Sequence, residues 1–187
     1  MTHVHVLKIQ LAVVKPIVWR RIEIESDAKL PLVSRALLYA MGWTDTHLHA
    51  FRIGQAEFGV PDPDFASDMI NERRITLAQI APKPKDRFIF DYDFGDGWSH
   101  RVTVEKIIES ADYTAPRCVA GARACPPEDC GGPYGYAELI EALADPAHEE
   151  HERLTQWMPD DFDPMAFDLE DANVLLRDLR RPRLRAV

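Results

Sequence analysis

Asp86-Arg87-Phe88-Ile89-Phe90-Asp91-Tyr92-Asp93-Phe94-Gly95-Asp96-Gly97-Trp98-Ser99-His100-Arg101-Val102-Thr103-Val104 decides the fold. Large apolar and polar side chains alternate on both sides of a Gly-rich centre, the signature of two antiparallel strands joined by a tight loop. Two registers compete. A two-residue loop Asp96-Gly97 sets Phe90 opposite Thr103 and Phe88 opposite Glu105. A three-residue loop Gly95-Asp96-Gly97 pairs Phe94 with Trp98, Tyr92 with His100, Phe90 with Val102 and Phe88 with Val104. Only the second keeps the large apolar groups on one face, because a one-residue slip sends a strand's side chains to the opposite side. It also gives Gly97 the left-handed position such loops require, and sets Asp91 opposite Arg101 and Asp93 opposite Ser99. The three-residue loop is therefore expected.

Outward from this hairpin, residues 4–14 alternate with Leu7, Ile9, Leu11 and Val13 on one face. After Lys15-Pro16 the alternation resumes over 17–25 with Val18, Ile22 and Ile24, predicting a first antiparallel hairpin. Leu30, Val33, Leu37 and Met41 recur at helical spacing, with Pro31 in the first turn and Gly42 placed for a left-handed cap. Residues 47–53 alternate again as a strand. The stretch 59–74 is rich in Pro and Asp and reads as a long surface loop, and 76–80 as one helical turn. Further helices are predicted over 136–144, over 147–157, and after Asp163-Pro164 with Asp168 as cap.

This order, ββαβ plus a long hairpin, predicts an α+β domain with a β-grasp-like mixed or antiparallel sheet and C-terminal helices packed alongside. The length of 187 residues suits one domain over 1–180, with 181–187 a basic, frayed tail. No apolar run reaches the roughly 20 residues of a membrane helix, and no secretory pattern opens the chain, so a cytoplasmic location is expected.

A net charge of −9 repels polyanions and argues against general nucleic-acid binding. The exception is Arg177, Arg180, Arg181, Arg183 and Arg185, which complement a helix C-terminus or supply a DNA-associated accessory role. Cys118, Cys125 and Cys130 lie within thirteen residues. With His100, or with His47 or His49, they form a possible zinc set, although paired thiol knuckles are lacking. The competing reading is three small buried thiols lining a tight loop.

His49 and His100 fall on apolar faces. They either meet a ligand in a pocket walled by Tyr92 and Trp98, or order the core through carbonyl and carboxylate partners. Asp93 and Asp96 join them in a metal-dependent hydrolase or nuclease reading. The candidate ligand-binding set is His49, Tyr92, Asp93, Asp96, Trp98, His100 and Tyr134. His148-Glu149-Glu150-His151 misses the zincin spacing. Gly131-Gly132-Pro133-Tyr134-Gly135 precedes a helix as an anion cradle would, but Glu128 and Asp129 oppose an anion there. No serine stands in a nucleophile-elbow context.

Five motifs resemble the plasmid pRiA4b open-reading-frame-3-like family. They are Pro16-Ile17-Val18-Trp19-Arg20-Arg21, residues 41–51 (Met41-Gly42-Trp43-Thr44-Asp45-Thr46-His47-Leu48-His49-Ala50-Phe51), residues 92–100, Cys118 through Tyr136, and Asp160-Asp161-Phe162-Asp163-Pro164. The resemblance spans about 4–176 and implies a plasmid or mobile-element origin without an established activity. Some relatives carry a transposon-resolvase label. The chain shows neither the nucleophilic serine with arginine partners nor the helix-turn-helix of a serine recombinase. The expected function is thus a binding or adaptor domain, with its pocket near the 92–100 hairpin and the 125–136 loop.

Overall fold

β1 (Thr2–Leu11) and β2 (Trp19–Glu25) form the first hairpin, as the alternation predicts. The structure, a computed structural model, describes residues 1–64, 67–159 and 161–179. On β2 the inward face carries Arg20, Ile22 and Ile24, continuing from Val18. α1 (Leu30–Met41) has Pro31 in its first turn and ends at Gly42, whose φ of 97° makes the left-handed cap. Its stripe Leu30, Val33, Leu37 and Met41 is buried against the sheet.

β3 (His49–Ile53), β4 (Ala56–Gly59), β5 (Ile70–Asn71), β6 (Arg87–Tyr92), β7 (Trp98–Ser110) and β8 (Arg117–Ala122) complete an eight-stranded sheet. Its order is β5-β4-β3-β6-β7-β1-β2-β8. The pairs are antiparallel except β4 with β5. The fold is α+β with a mostly antiparallel sheet and helices. β1 lies mid-sheet and antiparallel to both neighbours, and β4, β5 and β8 extend the sheet beyond the ββαβ-plus-hairpin pattern. Part of the expected 59–74 loop is ordered as β5 and a 3₁₀ turn over 72–74, where Asn71 Oδ1 accepts the Arg73 N–H. Two paired residues are too few to leave a period in the sequence.

The 86–108 hairpin forms in a third register. Tyr92 pairs with Trp98, Phe90 with His100 and Phe88 with Val102, leaving a five-residue loop over 93–97. This differs from the expected three-residue loop by two positions, and a shift of two preserves every side chain's face. The apolar pattern cannot separate the two registers; Asp93 does. It leaves the strand at φ 53°, and its Oδ1 accepts the N–H groups of Gly95 (3.0 Å) and Asp96 (3.3 Å), while its carbonyl accepts from Gly97 (2.6 Å). An aspartate bonding its own downstream backbone tolerates this conformation. Gly97 is left-handed as expected, at φ 72°. Asp91 faces Ser99 rather than Arg101, and pairs with Arg52 of β3.

α2 (Leu77–Ile80), α3 (Gly132–Ala144), α4 (His151–Trp157) and α5 (Asp171–Asp178) follow. α3 starts earlier than expected because Pro133 sits in its first turn after left-handed Gly131. Asp168 Oδ1 accepts the N–H groups of Glu170 and Asp171 as the chain enters α5. α5 packs on α1 and on β8. There Asn173 accepts the Cys118 N–H and donates to the Cys118 carbonyl, both at 2.9 Å. One side-chain amide thus pairs with the outward N–H and C=O of Cys118, as one residue of a further strand would, and blunts the edge there. The arginines at 180, 181, 183 and 185, the tail 181–187 and Asp160 lie outside the described residues.

Candidate functional site

Three of the quoted motifs meet at Trp43. Gly42 turns the chain at the end of α1, the Trp43 N–H donates to the Leu38 carbonyl, and the indole is driven inward. Its ring stacks on Tyr92 (5.4 Å, 23°), tilts on Trp98 (5.5 Å) and meets His100 edge-on (5.2 Å). Its Nε1–H donates to the Pro126 carbonyl at 2.8 Å. The hairpin and the Cys-Pro-Gly loop are therefore locked through one buried indole, a large apolar surface with one satisfied polar atom.

Glu128 closes the junction. Tyr92 Oη donates to its Oε1 (2.6 Å), and Thr44 donates to Oε2 from both Nα (3.1 Å) and Oγ1 (2.7 Å). Tyr92 Oη also accepts the Thr46 N–H at 3.2 Å. Burial, then the Glu128 carboxylate, raises the Tyr92 phenol's pKa. Composition alone made Glu128 a charge opposing anions; its partners show a tie between loops. Asp96 is a second tie, its Oδ2 accepting the Gly131 N–H at 3.2 Å. A Cβ on Gly132 would stand 2.1 Å from the Asp96 carbonyl oxygen, and one on Gly135 2.0 Å from that of Cys130. Both glycines are demanded by close approach of backbone to backbone.

The two histidines of the expected pocket each turn to a partner of their own. His100 is fully buried, and its Nδ1–H donates to the Phe90 carbonyl at 3.0 Å. His49 Nε2 meets both oxygens of buried Glu72 at 3.1 and 3.2 Å. Both rings touch Phe90, at 5.5 Å for His49 and 5.6 Å for His100. Tyr92 and Trp98, the expected walls, and His100, the expected ligand group, are all buried, and Trp43 packs against all three. Among the described residues, Trp98 Nε1 and His100 Nε2 are buried without a hydrogen-bond partner.

Burial holds the His100 pKa down to about 4, so the ring is neutral at pH 7. The folded value lies below the unfolded one of about 6.5. Acid therefore protonates the unfolded chain first, and stability falls as pH drops from 6.5 toward 4. The loss assigned to this residue is on the order of 3 kcal/mol, from 1.36 kcal/mol per pKa unit. Buried His5, held by Ser26 and the Ala81 carbonyl, has a lowered pKa through burial and acts with the same sign. Urea unfolding of the wild type and of His100→Gln across pH 7 to 4.5 measures this. The variant should show the shallower dependence, and parallel curves would remove His100 as the cause.

Among the described residues, the three thiols do not share one cluster of potential metal ligands. Cys118 lies on β8 with its Sγ–H donating to the Ala120 carbonyl. Burial pushes Cys125 and Cys130 up to about 12, which keeps them as thiols at neutral pH. Among the described residues, the set of three potential ligands whose atoms lie within 4.8 Å of one another is instead His47, Asp93 and Asp129. His47 Nε2 stands 3.1 Å from Asp129 Oδ1 and 3.7 Å from Asp93 Oδ2. The His47 ring rests edge-on against Tyr92 at 5.7 Å. His47 was legible only as one of several possible zinc partners, and Asp129 only as a repelling charge, because their meeting depends on three loops folding together.

Around this cluster, large apolar side chains are exposed: Leu48 (67%), Phe94 (56%) and Tyr134 (86%). Leu48 and Phe94 flank one backbone hydrogen bond, Asp93 N–H to the Leu48 carbonyl at 2.9 Å. Tyr134 lies in the first turn of α3, two residues after Gly132, which abuts Asp96. A separate cleft of ≈ 340 Å³ is lined by Arg20, Met41, Phe162 and Phe167. There the Arg20 guanidinium donates to the carbonyls of Ala40, Trp19 and Ala122, with Phe167 at 4.5 Å. Among the described residues, no helix is long and apolar enough to cross a membrane.

The family described as Plasmid pRiA4b ORF-3-like protein matches residues 3–171. "Uncharacterized protein y4hQ" of Sinorhizobium fredii (strain NBRC 101917 / NGR234) is 38% identical over 175 residues, 92% of this chain and 90% of that protein. The crystal structure of a protein of unknown function, MM3350 from Methanosarcina mazei Go1, is similar at a TM-score of 0.81 and 33% identity. That similarity covers 91% of this chain and 98% of the other.

Proposed function

The chain belongs to the plasmid pRiA4b ORF-3-like family, and we propose that it acts as a cytoplasmic binding or adaptor domain of plasmid or mobile-element origin. Its recognition face is the rim where residues 44–48, 93–97 and 128–134 meet. The partner is a protein segment bearing apolar side chains. The observation that carries this reading is the exposure of Leu48, Phe94 and Tyr134 on a backbone held rigid by the Trp43, Glu128 and Asp96 ties. Exposed apolar groups gathered on a rigid rim mark interaction surfaces, and a preorganised rim loses little entropy on binding.

The hydrolase reading is less well supported. Its two histidines, His49 and His100, are engaged by Glu72 and by the Phe90 carbonyl.

Selection from a random-peptide display library against the purified protein in EDTA tests the proposal. Enriched peptides should carry apolar or aromatic residues. They should lose at least tenfold in affinity toward a Leu48→Ser, Phe94→Ser, Tyr134→Ser variant, which is expected to keep its thermal midpoint because all three side chains are exposed. Equal affinity for the variant, or no saturable peptide, overturns the reading.

A further inference from the structure

We propose that His47, Asp93 and Asp129 form a binding site for one first-row transition dication, best suited to Zn²⁺. The inference deepens the binding-face reading, and places a cation at the centre of that rim.

The three residues come from three separate loops. His47 precedes β3, Asp93 opens the 93–97 loop, and Asp129 lies in the Cys-Pro-Gly loop. Nothing in the local sequence brings them together; the Trp43 and Glu128 ties do. One imidazole nitrogen and two carboxylate oxygens then lie within 4.8 Å of one another.

Asp93 carries the second observation. The residue is about nine-tenths buried, with 9% of its surface exposed. Its Oδ1 is satisfied by two backbone N–H groups, but among the described residues its Oδ2 makes no hydrogen bond and no pair with Lys or Arg. That oxygen points toward His47 Nε2 at 3.7 Å, beyond hydrogen-bond reach. Oδ2 thus remains available to an incoming cation. The neighbouring groups are the Asp129 carboxylate and the His47 imidazole, donors that a single bound cation would draw together.

The donor set chooses the ion. An imidazole beside two carboxylates suits zinc and its neighbours, whereas Ca²⁺ and Mg²⁺ favour oxygen-only shells. Three protein ligands would leave at least one position of a tetrahedral ion open. The Tyr92 ring supports the imidazole from one side, and the Asp93 turn fixes its carboxylate.

The test uses tag-free protein stripped with EDTA and dialysed. Titration with ZnCl₂ in a calorimeter, and with CoCl₂ followed by visible absorption, should give one equivalent. MgCl₂ at the same concentration should give no heat. His47→Ala and Asp129→Asn should each weaken Zn²⁺ binding at least tenfold. Asp129 is exposed and His47 partly exposed, so folding should survive, and thermal unfolding without metal verifies it. Sub-stoichiometric binding, or stoichiometric binding unchanged in both variants, overturns the site; the latter would point to the cysteines. The peptide selection runs in EDTA, so loss of the metal site leaves the binding face standing, and loss of the face leaves the metal titration interpretable.

Discussion

Gly132→Ala should destabilise the protein by about 3 kcal/mol or more in urea unfolding. Its φ is +69°, where an added Cβ strains any L-residue by roughly 1–2 kcal/mol. Overpacking adds a second cost, because that Cβ would stand 2.1 Å from the Asp96 carbonyl oxygen. That neighbour is backbone and cannot rotate away, and such insertions cost a further 1–3 kcal/mol or so. Gly97→Ala is the control. Its φ is +72° but its Cβ would meet nothing within 4 Å, so only the strain of about 1 kcal/mol applies. Equal losses in the two variants would mean that the contact between the hairpin loop and the start of α3 is not tight.

Trp43→Ala should cost about 4 kcal/mol, within the range for removing a buried aromatic ring. It empties the space between Tyr92, Trp98 and His100. Trp43→Phe separates packing from the hydrogen bond. It keeps most of the ring contact but leaves the Pro126 carbonyl without its donor, for a loss of roughly 1–3 kcal/mol. The two variants should also differ in native-state hydrogen exchange around 126–131, where the Phe variant alone retains protection. A Trp43→Ala loss below about 1 kcal/mol would show that the motifs hold together without the indole.

The hairpin shows how far pattern reasoning reached. Alternation assigned both strands and put Phe88, Phe90, Tyr92, Trp98, His100 and Val102 on the buried face, where they are found. It then chose a register two residues away, since a period of two is blind to a shift of two. The deciding interaction was local: the Asp93 carboxylate bonding the loop backbone. α1 was legible in full because its apolar stripe, its proline and its capping glycine agree. β5 and β8 were not, since one has two residues and the other is an edge strand held in part by Asn173 at Cys118, 55 residues away in sequence.

At the site the division is similar. Tyr92, Trp98, His100, Asp93 and Asp96 were singled out by type and face. Their roles were not legible, because a role depends on which group lies opposite. Glu128 was a repelling charge until Tyr92 and Thr44 were seen donating to it, and Asp129 had no function until His47 lay 3.1 Å away.

What the sequence by itself determined is what nearest-neighbour physics encodes: the faces of the main strands, the limits of α1, the left-handed Gly42 and Gly97, and the family these motifs spell. What only the tertiary structure decided is which loops meet. The 41–51, 92–100 and 125–136 segments are far apart along the chain. Their association rests on one buried indole, the Glu128 and Asp96 carboxylates, and Gly132, which has no room for a side chain against the hairpin loop; such long-range contacts leave no period in a sequence.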